Sequence, residues 1–281
     1  MKTHQLLFAL IFSVFAMGYG QTTKVITYNI RYDSQNDSLD RWTERRSDLV
    51  KLVQEQKPAF MGIQEGLYHQ VTYIDSCLVE YEFIGVGRDD GQKKGEFSAV
   101  FYDTSKYRIL ESNTFWLSKT PEEISVGWDA ALERVCTYGR FENRTTNQQL
   151  WVFNTHFDHV GVKARKKSVR LILKKIRQLT ANGLPVVLMG DFNLQPQEKP
   201  IRLIQRALDD GMTFSKIPLT GPIGTYNGFD PKATMERRID YIFVKGFSVE
   251  DYQHIDARRA NGRHISDHLP VMGLLRPKNI P

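Results

Sequence analysis

The chain has 281 residues, 41% hydrophobic and 25% charged, with two cysteines and a formal net charge of +6. This is ordinary for one large globular domain or two small ones, and two cysteines exclude a disulfide scaffold. The basic balance fits an anionic substrate or surface, although a solvated cationic face explains it equally well.

Residues Met1 to Gly20 differ from the rest. Lys2 gives a positive start, Leu6 to Met17 form an apolar run, and small residues precede Gln21. The pattern reads as a secretory signal peptide, which implies export to a periplasmic or extracellular location. About a dozen apolar residues are too few to span a ~30 Å hydrocarbon layer, so no stable membrane insertion is expected. No cysteine at the cleavage point offers a lipid attachment site. Residues 21–281 contain no repeat or Pro/Ser-rich linker and read as one domain. Export permits but does not require Cys77 and Cys136 to pair, and two small buried residues is the favoured reading.

In chain order, Val25 to Arg31 reads as an opening strand. Trp42 to Gln56 carries Trp42, Leu49 and Val53 at helical spacing. Ala59 to Gln64 is a short apolar run ending in Glu65, and Leu67, Val71, Ile74 and Leu78 again repeat helically. Phe97 to Tyr102, Ile109 to Leu117 and Val135 to Phe141 are β-rich, with a loop at Pro121 to Leu132. Leu150 to Thr155 follows as a strand, Val162 to Ala181 as a basic amphipathic helix, and Pro185 to Gly190 as an apolar strand ending in Asp191. Ile239 to Val244 and Leu269 to Leu275 complete the strands. Many strands with interspersed helices favour sheet packed on sheet with helices outside.

Several of these runs end in polar residues suited to metal or phosphate, and strand ends are where loops converge into one pocket. Asn29, Glu65 and Asp267 offer the hard oxygens that Mg²⁺ or Mn²⁺ prefers. Asp191 and Asn193 share a turn and suit the orientation of an attacking water. Asp240 and His268 suit a carboxylate-steadied imidazole, acting as base or as a charged clamp. Taken singly these residues have bland readings as caps, turn residues or exposed side chains, and His159 keeps its bland reading. Their joint occurrence points to a metal-dependent phosphoesterase.

In order, Thr27-Tyr28-Asn29, Gln64-Glu65, Asn154-Thr155-His156, Gly190-Asp191-Phe192-Asn193, Ile239-Asp240-Tyr241 and Ser266-Asp267-His268 resemble the signature of the endonuclease/exonuclease/phosphatase superfamily. The resemblance covers essentially the whole chain after residue 20. It implies a DNase-I-like α/β fold, a four-layer sandwich of two face-to-face mixed β-sheets flanked by helices. It further implies that Asn29, Glu65 and Asp267 gather the metal, that Asp191 and Asn193 handle the water, that His156 lies near the scissile phosphate, and that Asp240 and His268 pair. Whether Asp191 or His268 is the base stays open, as does the number of ions.

The segments Gly87-Arg88-Asp89-Asp90-Gly91, Gly95-Glu96-Phe97 and Thr114 to Val135 resemble an exported bacterial branch with a deadenylase-like core, without added leucine-rich or RNA-binding modules. Arg88 and Arg134 are candidates for substrate phosphate, and Trp128 and Tyr226 for stacking on a base or sugar. The leading expectation is hydrolysis of a phosphate mono- or diester of a small sugar, inositol or nucleotide phosphate. The alternatives are a secreted endo- or exonuclease with nucleic acid as partner and, ranked below it, a non-catalytic binding protein.

Overall fold

The computed structural model describes residues 21–278, so the segment read as a signal peptide lies outside the described residues. The elements in chain order begin with β1 (Thr23–Asn29), a 3-10 turn at Gln35–Asp40, α1 (Trp42–Gln56), β2 (Phe60–Gln64), α2 (Tyr68–Cys77), β3 (Tyr81–Ile84) and β4 (Val100–Asp103). Next come β5 (Tyr107–Trp116), β6 (Val135–Asn143), β7 (Gln149–His156), α3 (Val162–Leu179), β8 (Val186–Asp191), α4 (Lys199–Gln205) and β9 (Asp209–Asp210). The last are β10 (Asp240–Lys245), β11 (Phe247–His254) and β12 (Val271–Pro277).

These form two six-stranded mixed sheets, ordered β11-β12-β1-β2-β4-β3 and β5-β6-β7-β8-β10-β9. Each has one parallel pair, β1 with β2 and β7 with β8, and a helix connects the members of each pair because parallel neighbours need a crossover. The remaining pairings are antiparallel.

Three apolar clusters define four layers. Val25, Phe60, Phe141, Val152, Val187 and Ile242 fill the space between the sheets. Leu49, Val53, Val71 and Ile74 of α1 and α2 pack with Ile26, Met61 and Phe101 on the first sheet. On the second sheet, Val169, Ile172 and Ile176 of α3 and Ile201 and Ile204 of α4 pack with Trp151, Phe153 and Leu188. Strands buried on both faces explain why β2 and β8 read as continuous apolar runs rather than alternating ones. The fold is therefore the expected four-layer sandwich. Cys77 joins the outer cluster of the first sheet and Cys136 that of the second, and both are free.

Polar groups tie the sheets together as well. Asn154 on β7 is fully buried and donates through Nδ2 to the carbonyls of Ile63 and Ala99 at 2.8 Å each. Its Oδ1 accepts from Gln64 Nε2 at 2.7 Å. Gly62 makes room for this amide, since a Cβ there would lie 2.7 Å from Asn154. The staple joins β2 to β7 just before the residues that end those strands.

Several elements were not foreseen in the sequence, and the cause is physical. In β11 a bulge between Val249 and Asp251 breaks the period-two pattern, so its burial reads as irregular. β3 is four residues of mostly half-buried side chains, and β9 is two residues long. α4 holds seven residues, too few for a visible period. Phe97 lies outside β4, making isolated bridges to Gly66 and Gly87 instead of joining the ladder.

Candidate active site

Strand register sets the site. Within the second sheet, His156 on β7 pairs with Asp191 on β8, and Asp191 pairs with Asp240 on β10. Residues in register on adjacent strands project to the same side, so the three side chains stand in a row. In the first sheet, Asn29 pairs with Gln64, which puts Glu65 beside the end of β1. Asp267 and His268 lie on the approach to β12. Arg31, Glu65 and Asn193, each at or just after a strand end, have φ of 56°, 63° and 48°. Non-glycine residues in this left-handed region carry a cost, and the three sharp turns aim side chains into a common cleft.

That cleft has a volume of about 580 Å³, and its lining includes Glu65, His156, Asp191, Asn193, Asp267 and His268. Asn29 lies beneath it, donating through Nδ2 to Glu65 Oε1 and to Asp191 Oδ2, each at 3.0 Å. Its Oδ1 accepts from the Arg31 amide, so in this conformation the amide bridges two carboxylates. The Tyr32 amide donates to Glu65 Oε2 at 3.2 Å. His268 Nδ1 lies 2.9 Å from Asp240 Oδ2, and its Nε2 is 3.8 Å from Asp191 Oδ2. Thr225 fixes Asp240 by donating its hydroxyl to Oδ2 at 2.5 Å while accepting from the Asp240 amide.

Electrostatics divides the two histidines. Burial disfavours a charged His268, but the charge and hydrogen bond of Asp240, reinforced by Asp191 and Asp267, outweigh it and raise its pKa well above the ordinary value. His156 is buried beside the Arg134 guanidinium, and both effects push its pKa down to about 3. Arg134 Nη1 lies 3.0 Å from His156 Nδ1. The guanidinium and the Asn193 amide Nδ2, 3.2 Å from Nε2, put a donor against each ring nitrogen, and Nε2 also lies 3.5 Å from Asp191. Burial and then the charge of Asp240 raise the pKa of Asp191. Burial lifts Asp267 to about 6, with Glu65 adding to the rise against the pull of His268.

The donor chemistry suits a hard divalent cation. Glu65 and Asp267 bring carboxylate oxygens to one cleft, the hard donors that such a cation prefers. A second cluster, Asp191, Asp240 and His268, has ligand atoms within 4.8 Å of one another. There Asp240 Oδ2 is already taken by Thr225 and His268, which makes Glu65 with Asp267 the better-placed pair.

The remaining sequence candidates divide. Tyr226 and Arg134 line the cleft, and Tyr226 meets His268 edge-on at 5.2 Å. Arg134 also reaches His159 Nδ1 at 3.1 Å, giving that histidine a place in the wall. Arg88 is not brought to the cleft, because its guanidinium is buried and held by Glu96 through contacts of 2.7 and 2.9 Å. Trp128 is half-buried in the loop before β6 and is not among the cleft-lining residues. Glu96, Arg31, Tyr32 and Arg237 in the wall and Thr225 behind it are site residues to which the sequence assigns no role. Glu96 is marked only by the resemblance of Gly95-Glu96-Phe97, while nothing local marks Thr225.

A family model described as "Endonuclease/Exonuclease/phosphatase family" matches residues 26–268. The structure of an endonuclease/exonuclease/phosphatase family protein from Bacteroides thetaiotaomicron is similar at a TM-score of 0.87 and 37% identity, covering 93% of this chain and 100% of that one. The mannosyl-6-phosphatase of Bacteroides thetaiotaomicron gives a TM-score of 0.86 and 38% identity, over 90% of this chain and 99% of that one. The probable RNA exonuclease NGL3 of Saccharomyces cerevisiae is 25% identical over 83% of this chain but only 46% of its own length.

Proposed function

This chain belongs to the endonuclease/exonuclease/phosphatase family, a group of phosphoester hydrolases, and from that premise we propose a Mg²⁺- or Mn²⁺-dependent phosphatase of small sugar-like phosphates. The carrying observation is the convergence of His156, Asp191, Asn193 and His268 beside Glu65 and Asp267 in one cleft of about 580 Å³. That volume is in the range of roughly 300–1,000 Å³ typical of small-molecule sites. The 38% identity to a mannosyl-6-phosphatase over nearly the whole of both chains supports a sugar phosphate as the substrate class.

In this reading Glu65 and Asp267 hold the cation, with Asn29 fixing the position of Glu65. When bound, the cation supplies Lewis-acid polarisation of a phosphate oxygen. Asp191 accepts the proton of the attacking water, which Asn193 helps orient. His268, kept charged by Asp240, clamps a phosphate oxygen and is thereby a poor base. His156, kept neutral by burial and Arg134, stands beside Asp191 and Asn193 and helps position the phosphate. The reading includes export, supported by the pattern of residues 1–20, and N-terminal sequencing of the recovered protein should then begin near Gln21.

The test is turnover of a panel of sugar, inositol and nucleotide phosphates, diesters, lipids, DNA and RNA with Mg²⁺ or Mn²⁺, beside Asp191→Ala. Rapid release of phosphate from sugar monoesters, abolished in the variant, is expected. Preferential cleavage of nucleic acid would replace this reading with a nuclease, and equal turnover by the variant would remove the assigned base.

A further inference from the structure

The two outer helical layers differ sharply in charge. α1 and α2 together hold three Lys or Arg and four Asp or Glu, whereas α3 and α4 hold ten Lys or Arg and no acidic residue. On α3 the exposed cations Lys163, Lys166, Arg170, Lys174 and Arg177 recur at steps of three and four, which places them in one stripe along the outer side. Exposed Lys199 and Arg202 continue the face onto α4, which packs on α3. Two carboxylates that approach α3 are already engaged: Asp129 accepts from the Lys163 and Ala164 amides, and Glu122 pairs with Lys175.

Folding alone does not favour this arrangement. Lys166 with Arg170, and Arg170 with Lys174, are like charges four residues apart, which repel. Lys163 and Arg165 in the first turn oppose the helix dipole. The helix forms because its other side buries Val169, Ile172, Leu173 and Ile176. An anionic counter-surface converts the repulsion on the outer side into attraction.

We propose that the α3–α4 face docks on the surface of an anionic lipid bilayer. The 18-residue helix displays its cations along a straight rod, on the order of 25 Å long at 1.5 Å per residue, as a planar charged layer requires. Neither α3 nor α4 contains an aromatic residue on which bases could stack, which disfavours single-stranded nucleic acid as the partner. Val160 and Val162, 59% and 70% exposed, stand at the N-terminal end of the stripe, where aliphatic side chains meet the boundary below the headgroups. The cleft opens at the strand ends rather than on the helical layer, so a docked molecule keeps it accessible.

The experiment is co-sedimentation of the full chain and its K166Q/R170Q/K174Q variant with phosphatidylglycerol-rich and pure phosphatidylcholine vesicles, with duplex DNA and heparin as competitors. Any contribution of the N-terminal segment is common to both proteins. The parent should partition onto the anionic vesicles only and be released by high salt. The variant should bind roughly a hundredfold less tightly, each basic residue near such a surface being worth about fivefold. Phosphatase turnover on a soluble substrate should be unchanged, so failure of the docking idea and failure of the enzymatic reading remain separate results. Equal binding to neutral vesicles, no binding to anionic ones, parental binding by the variant, or displacement by DNA or heparin at far lower charge concentration than the lipid would each overturn the proposal.

Discussion

Replacing Asp240 by Asn tests whether His268 works as a cation. Asp240 Oδ2 accepts from both His268 Nδ1 at 2.9 Å and Thr225 Oγ1 at 2.5 Å, while Oδ1 is buried without a partner. An asparagine keeps one acceptor, loses the charge and buries an amide NH₂ where no acceptor waits. With Asp240 neutral, burial is opposed only by the weaker pull of Asp191 and Asp267, so the pKa of His268 should fall and the charged ring be less populated at pH 7.5. Loss of one preorganised electrostatic donor costs about 3–4 kcal/mol of transition-state stabilisation, or roughly 10²–10³ in kcat. The assay is kcat and KM from pH 5.5 to 9, with the variant regaining activity as pH falls and the ring recovers its proton. Stability should move in the same sense. A histidine whose folded pKa lies above its unfolded value of about 6.5 stabilises fully below that value, and the benefit disappears as pH rises through the folded pKa. Asp240→Asn should therefore lose stability mostly at and below neutral pH. A variant within threefold of the parent would show that the charge of Asp240 is not needed, and one whose activity climbs toward alkaline pH would show that His268 is instead the base.

Asn154→Ala removes three buried hydrogen bonds across the sheets, and at about 1 kcal/mol each the loss is about 3 kcal/mol, or roughly 10 °C in Tm. A urea midpoint within error of the parent would mean that the staple is replaced at no cost. His254 donates Nδ1–H to the Pro222 carbonyl at 2.7 Å, its Nε2 is buried without a partner, and burial pushes its pKa down to about 4. The unfolded chain then binds the extra proton first, so stability should fall between pH 6.5 and 4, by about 3 kcal/mol for this residue. His254→Phe should flatten that part of the profile, and an unaltered slope would refute the assignment. Glu65→Gln should weaken Mg²⁺ binding by calorimetric titration at least tenfold, an order-of-magnitude expectation for a lost ligand charge, and unchanged affinity would move the cation elsewhere.

The sequence carried the long elements and the strand-end residues because both leave local marks. Buried runs such as Val186 to Gly190 and helices such as Trp42 to Gln56 repeat over enough residues to declare their period. The acids, amides and histidines at the strand ends stand out by chemistry. What was hidden depends on contacts made at a distance. Thr225 acquires its role only because the 225–240 segment returns its hydroxyl to Asp240, and Arg88 is withdrawn from the cleft by Glu96, eight residues on. Whether an arginine meets substrate or a neighbouring carboxylate is decided by packing that no single stretch records. α3 was legible as a basic amphipathic helix, but its contrast with the mixed charge of α1 became informative only when both were seen as the outer layers of one sandwich.

The two strand orders also share a numbering rule: counted cyclically from β5 or from β11, each sheet is built by the same sequence of steps. Under that rule β1 and β2, which deliver Asn29 and Glu65, correspond to β7 and β8, which deliver His156 and Asp191. Thr23 lies opposite Leu275, so the junction between β12 and β1 is geometrically a hairpin left open, matching the one closed by residues 144–148 between β6 and β7. Connectivity is thus a cut in a ring. A circularly permuted gene, joined at the first junction and opened at the second, would thread the same walls and leave the two contributing halves facing each other.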